Sequence, residues 1–361
     1  MNDELNLLSN PLFFASARVW RCYLGGKLLD EFLGAAEGAD SNFPEDWLAS
    51  VTLADNGEMQ QSPSEGLSCI RGTDLHFADL LRRYPSEAFG TNRVAGTAVL
   101  CKFLDSAIRL PIQCHPDREF ARHHFGSEYG KSESWLILAT REINGEKPYI
   151  LLGFKPDITS ERFRCAVMEQ DIATMTACLH KLPVEPGEVY FIPGRIPHAI
   201  GPGLLLLEVQ EPTDLVIQPE RQIGRITLTE KQMWAGLDHD TAFSCFDYRG
   251  HTQDEIMAWL KLSPRTKKQW ANAKIESVIG AAHTDCFSVD KLTIYGDLEI
   301  PCDTPWHIAV VTSGHGSISA ADEQPVRRGD SFFVSNRVRK LHYRPAGSEP
   351  LELFLISNTA R

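Results

Sequence analysis

The chain has 361 residues and a formal net charge of −12, with 43% apolar and 23% charged residues. That length admits two ordinary domains or one large one, and the composition is that of a soluble globular protein. The acidic balance argues against nucleic acid as a main partner, but a few local Lys and Arg residues could still hold a small phosphorylated molecule. No apolar run reaches the length needed to cross a bilayer. The opening MNDELNLLSNPLFF places acids before a short apolar patch, the reverse of a secretory signal, so no export is expected. Nine cysteines are scattered without a CxxC pair, which suits reduced thiols in a cytoplasm and not a disulfide frame or zinc ribbon.

In chain order, NFPEDWLASVTLAD alternates like a strand after a turn, and GTDLHFADLLRRYP predicts a helix from Thr73 that stops near Pro85. From AVLCKFLD onward the texture is strands and tight turns: ESWLILAT, KPYILLGF, GEVYFIPG and GLLLLEVQEP are short apolar or alternating runs bounded by Gly and Pro. REFARHHFG predicts one or two helical turns after Asp117. LTEKQMWAGLDHD and TQDEIMAWLKL then carry helical spacing, with Thr252 and Glu255 placed as a capping box. Strands return in FSVDKLTIYGDLEI, WHIAVVTSGHGSISA, RRGDSFFVSN and LELFLIS. The expected fold is mainly β with α additions, two strand-rich blocks flanking a helical insert, and not a doubly wound α/β fold.

The two blocks read as distant copies. GEVYFIPGRIPH (Gly187 to His198) and GDSFFVSNRVRK (Gly329 to Lys340) share a Gly, an acid, four strand residues, a break and a turn. The first ends in His198; the second has Lys340 there, and Ser335 in place of Pro193.

Three segments hold candidate ligands. In PIQCHPD, strand alternation places Gln113 and His115 on one face and Ile112 and Cys114 on the other, so Cys114 faces away from any ion that His115 binds. In GKSESW, Lys131 and Glu133 are two apart and share a face. His198 follows a turn that ends a strand. A lone histidine is more often a hydrogen-bonded structural residue. Two His, a Glu and a Gln brought together would suit zinc or another borderline divalent ion, with room left for water or substrate.

CKFLDSAIRLPIQCHPDREFARHHFG, GKSESWLILA and GEVYFIPGRIPHAIGPGLLLLEVQEPTD resemble the class I mannose-6-phosphate isomerases, in particular their short bacterial form, whose segments read roughly KFLDA, LSIQVHPDD, GKTE-W-I and PAGTVHA followed by EIQ-SD. ARVWRCYLGGKL and PEDWLASV are similar to that family's early R-I-W-G-G and G-E-W-S segments. The resemblance implies two cupin-type (jelly-roll) β-barrel domains: residues 1–228 as a metal-binding domain with a helical part, 229–265 as a helical connector, and 266–361 as a second barrel without metal ligands. It implies one zinc ion held by Gln113, His115, Glu133 and His198, with Lys131 beside it, Glu208 as general base and Lys102 near the barrel mouth.

The activity so implied is aldose–ketose isomerisation of a sugar phosphate, mannose-6-phosphate to fructose-6-phosphate, in the cytoplasm, without nucleic acid or membrane as partner; nothing in the sequence indicates an oligomeric state. The ion would act as a Lewis acid on the C1 and C2 oxygens while a base moves the proton. The pattern departs from the family at two places. Gln218 stands where the family has an arginine thought to assist at the substrate, leaving Arg221 or Arg225 to reach the site. Arg195 replaces a turn glycine. Both count as candidate substrate contacts, with Arg18, Arg195, Arg221 and Arg225 as candidates for the phosphate. The same departures favour two alternatives: a cupin that binds a sugar phosphate in a regulatory role, or an isomerase of another sugar.

Overall fold

A computed structural model of the chain describes residues 2–91, 97 and 99–358. The fold is mainly β with short helices. Strands of the first half, joined at one edge by Lys261–Leu262 from further along the chain, form a seven-stranded sheet in the order Lys261–Leu262, Val189–Ile192, Glu133–Thr140, Leu204–Gln210, Leu100–Ser106, Glu45–Leu48 and Arg18–Val19, every pair antiparallel. A three-stranded sheet accompanies it, with Tyr149–Phe154 between Leu179–Pro183 and His198–Ile200. The second half repeats the scheme with a seven-stranded sheet centred on His307–Ser313, Leu351–Asn358 and Phe287–Ile294, and a four-stranded sheet that includes Lys340–Ala346.

The two matching sequence segments take equivalent places. Val189–Ile192 and Ser331–Val334 are each second from an edge of their seven-stranded sheet. The edge beyond Ser331–Val334 is Leu12–Phe13, so the start of the chain crosses to the far sheet. Leu204–Gln210 is buried along its whole length, which explains its unbroken apolar run. Leu204 and Leu206 enter the core under the helices, whereas Leu205, Leu207 and Val209 enter a core shared with Ile308, Phe333 and Phe354 of the second half.

Three helical expectations resolve in different ways. Arg118–Phe125 forms as predicted, with Asp117 accepting from the Phe120 N–H at 2.8 Å. Thr252 and Glu255 form the predicted capping box on Gln253–Leu260. The helix expected from Thr73 starts later, at Phe77, because the Thr73 hydroxyl donates to Ile70 O and accepts from Leu75 N, closing a turn over those residues. Pro85 does not end helical structure; it opens the next helix, Pro85–Phe89, where its missing N–H costs nothing. LTEKQMWAGLDHD splits into Glu230–Met233 and His239–Ser244, because Ala235 and Gly236 take left-handed backbone with φ 52° and 80°. Among the described residues no helix is long and apolar enough to cross a membrane.

Leu206→Ala removes a fully buried side chain and should cost about 2–5 kcal/mol of unfolding free energy. Thr252→Ala removes an exposed helix cap and should cost about 1 kcal/mol. Chemical denaturation of the two variants reads both, and the order of the two losses is the expected result.

Candidate metal centre

PIQCHPD is held from both sides. Gln113 exchanges backbone hydrogen bonds with His198 (2.9 and 3.0 Å), and Cys114 exchanges them with Ile217 (both 2.9 Å). One residue earlier, the Ile112 N–H donates to Glu220, whose buried carboxylate also takes both terminal nitrogens of Arg109 at 2.7 Å. Alternation then sorts the side chains. Ile112 and Cys114 join the core, with Cys114 Sγ 4.0 Å from Cys245 Sγ, while His115 turns to the opposite side. Two glycines bring the other ligand segments close. A Cβ on Gly130 would lie 2.6 Å from Pro116 O, and one on Gly194 would lie 2.7 Å from Asp117 N.

His115, Glu133 and His198 converge, with one ligand atom from each lying within 4.8 Å of the others, all buried. His115 Nδ1 is 2.9 Å from Leu215 O, and His198 Nδ1 is 2.8 Å from Ile196 O. A neutral imidazole that donates from Nδ1 keeps its lone pair on Nε2. Both Nε2 atoms point at Glu133, at 2.9 Å for His115 and 3.6 Å for His198. Burial, aided by Lys131, keeps both imidazoles neutral against the pull of Glu133, and the His198 value falls to about 3. Burial opposes ionisation of Glu133, yet the basic groups around it, Lys131 among them, outweigh it and hold the carboxyl well below its usual range.

Two lone pairs and a carboxylate thus face one another in a buried place, an arrangement that calls for a cation. Lys131 Nζ answers part of that need, 3.2 Å from His115 Nε2 and 3.1 Å from Glu133 Oε1. His198 Nε2 stays buried without a hydrogen-bond partner. The donors fit a divalent ion: two imidazole nitrogens fixed from behind by backbone carbonyls, and a carboxylate between them.

A row of charges runs across the same sheet. Cross-strand register places Trp135, Glu208, Lys102 and Trp47 side by side on four neighbouring strands. Trp135 Nε1 donates to Glu208 at 2.9 Å, and Lys102 Nζ lies 2.7 Å from Glu208 and 3.7 Å from Glu45. Burial and the charge of Glu133 push the Glu208 carboxyl up to about 7, against the pull of Lys102. Burial acts on Glu45 in the same sense, but Arg21 and Lys102, with hydrogen bonds from Tyr23 and Trp47, hold it down at about 2. Arg21 Nε donates to Glu45 at 3.1 Å, and Arg21 Nη1 lies 3.8 Å from Asp214.

Of the residues singled out from sequence, His115, Glu133, His198 and Lys131 meet at the centre, and Glu208 and Lys102 adjoin it through Trp135. Gln113 is half-buried on the ligand strand, its backbone paired to His198. Gln218 is half-buried, with its N–H bonded to Met233 O. The arginines lie elsewhere. Arg195 adopts a left-handed backbone with φ 75° and donates to the carbonyls of Ser244 and Cys245, at the end of the helix His239–Ser244. Arg221 pairs with Glu230 on the surface, Arg18 pairs with Asp30 at 2.8 Å, and Arg225 is exposed. Sequence reasoning missed Arg21, Glu45 and Asp214; the signals for them are the ARVWRCYLGGKL, PEDW and EPTD stretches, whose similarity to family segments assigns these three no role.

No family model matches the chain. It is 25% identical over 342 residues to the mannose-6-phosphate isomerase of Streptococcus mutans, covering 93% of this chain and 96% of that protein. It is 26% identical over 333 residues to a probable mannose-6-phosphate isomerase of Bacillus subtilis, covering 91% and 93%. The resemblance to mannose-6-phosphate isomerases spans almost the whole chain. Solved structures extend the shared fold: mannose 6-phosphate isomerase from Bacillus subtilis superposes with a TM-score of 0.75 at 20% identity, over 96% of this chain and 99% of that one. A mannose 6-phosphate isomerase bound with zinc and yttrium gives 0.68 at 15% identity, over 97% and 100%.

His198→Ala removes the imidazole whose Nε2 has no hydrogen-bond partner. After dialysis the wild-type protein should retain a divalent metal and the purified variant should lose it, read by plasma emission spectrometry. Full metal content in the variant would place the ion elsewhere.

Proposed function

We propose that this protein interconverts mannose-6-phosphate and fructose-6-phosphate, with one zinc ion held by His115, Glu133, His198 and Gln113. The observation that carries this reading is the buried convergence of His115, Glu133 and His198 beside Lys131 and Glu208, in a chain similar along its length to proteins of that name. Each half of the fold is read as a cupin-type barrel, residues 1–228 with the metal, 229–265 as connector, and 266–361 without it. In the second half Lys340, at the place matching His198, is exposed and paired with Glu299 at 3.0 Å. The nine free cysteines support a reducing, cytoplasmic setting.

Interconversion of an aldose and a ketose moves one proton between C1 and C2 and one between their oxygens. An ion at this centre supplies Lewis acidity to those oxygens. Glu208 takes the carbon-bound proton and returns it to the neighbouring carbon; Trp135 fixes one of its oxygens and Lys102 pairs with the other. Lys131, with its ammonium between His115 and Glu133, sets positive charge against the enediol oxygens. The sheet behind these groups is buried on both faces, so none of them needs to reorganise from a water shell.

The alternative of a regulatory sugar-phosphate binder rests on the departures at Gln218 and Arg195. It is not favoured, because Lys102, Lys131 and Glu208 all remain around the triad.

Zinc-loaded protein should convert mannose-6-phosphate to fructose-6-phosphate in a coupled assay. Protein carrying one equivalent of metal and giving no turnover contradicts the assignment. Glu208→Gln should keep the metal and lower kcat by roughly 10²–10⁴-fold; an unchanged kcat moves the base to another residue.

A further inference from the structure

The row of charges beside the metal centre opens to solvent at one end only. Glu133, Glu208 and Glu45 are 3% exposed, and Lys102 and Lys131 are 5% exposed, but Arg21 is 12% and its neighbour Asp214 is 29% exposed. Asp214 immediately precedes Leu215, whose carbonyl holds His115. The open end therefore lies one residue from the backing of the metal triad.

Arg21 reaches this place by an unusual route. Arg18 and Val19 pair with Asp46 and Glu45 at the sheet edge. The chain then continues through Trp20, Arg21, Cys22, Tyr23 and Leu24 before Gly25 and Gly26. The guanidinium is fixed on one side, with Nε on Glu45 at 3.1 Å, Nη1 on Asn56 Oδ1 at 3.2 Å, and the Trp47 ring 5.1 Å away. Its other side is loose: Asp214 is beyond hydrogen-bond distance at 3.8 Å, and Nη2 makes no hydrogen bond among the described residues. Asn56 Nδ2 beside it is buried and has no hydrogen-bond partner.

These groups suit hydroxyls better than a phosphate. A sugar hydroxyl donates one hydrogen bond and accepts others, and this corner presents an acceptor, Asp214, and two donors, Arg21 Nη2 and Asn56 Nδ2. A phosphate offers only acceptors and would meet the negative charges of Glu45 and Asp214. We infer that Arg21 is a substrate-contact residue, which, with Asp214 and Asn56, holds hydroxyls of the sugar chain. This rests on the isomerase reading above.

Arg21→Lys keeps the charge against Glu45 but loses the planar fork. In the zinc-loaded enzyme, KM for mannose-6-phosphate should rise about tenfold, the size of one lost charge-assisted hydrogen bond, with kcat within about twofold of wild type. A hexitol 6-phosphate, which has no carbonyl and cannot turn over, should bind the variant more weakly by the same factor in calorimetry. Inhibition by inorganic phosphate should not change. An unchanged KM and hexitol 6-phosphate affinity would overturn the inference, and so would an equal loss of inorganic phosphate affinity, which would put Arg21 on the phosphate. If wild-type enzyme binds the hexitol 6-phosphate but gives no turnover, the isomerase reading fails and the Arg21 contact is still decided by the binding data. Arg21→Met, with metal content and thermal unfolding measured alongside, separates contact loss from unfolding: its hexitol 6-phosphate affinity should fall at least as far as that of Arg21→Lys while its metal content stays at one equivalent.

Discussion

The arrangement of the whole first half turns on two imidazoles whose Nδ1 atoms are each committed to a backbone carbonyl. That commitment leaves two lone pairs aimed at the Glu133 carboxylate in a place water does not reach. Neutral histidines and an ionised acid at these distances are unfavourable neighbours unless a cation joins them. The carbonyls come from Leu215 and Ile196, on separate loops, so the site depends on the strands that position those loops. The bonds of PIQCHPD to His198, Ile217 and Glu220, and the close approach of Gly130 and Gly194 to Pro116–Asp117, supply that positioning.

From that centre outward, sign alternates along the sheet: Glu133, Lys131, then Glu208, Lys102, Glu45, Arg21 and Asp214. Each buried charge is tolerable because its neighbour is opposite, and removing any one leaves its partner stranded. The alternation also gives each group a distinct character. Glu45 is ionised firmly because cations flank it, while Glu208 lies on the same face as Glu133 and is easier to protonate. Two carboxylates on either side of Lys102 thereby differ in how readily they protonate through their surroundings alone. The apolar residues on the opposite face, Leu205 and Leu207, fasten the same strand to the second half of the molecule, so the site is backed by a packed core.

Much of this was legible in the chain. The alternation in PIQCHPD put Cys114 and His115 on opposite sides, and Cys114 does face Cys245 in the core. The spacing of Lys131 and Glu133, and the turn before His198, brought the remaining chemistry-bearing residues into view, because a strand fixes side-chain direction by counting. Helix beginnings were less legible: the Thr73 hydroxyl prefers a local turn, and the left-handed Ala235–Gly236 pair interrupts what reads as one periodic stretch. Arg21 could not be read at all. Counting forward from Glu208 leads to Arg221 and Arg225, both on the surface, whereas the guanidinium beside Asp214 arrives from almost two hundred residues upstream through the pairing of Arg18–Val19 with Glu45–Leu48. Register across a sheet brings such residues together, and no local pattern records it.

X-ray absorption at the zinc edge of the zinc-loaded protein tests the centre most directly. Two imidazole nitrogens with oxygen donors, at about 2.0–2.2 Å and with no sulfur, is the predicted shell. A sulfur scatterer at about 2.3 Å would contradict it, because Cys114 would then have to leave the core and face the ion in place of His115.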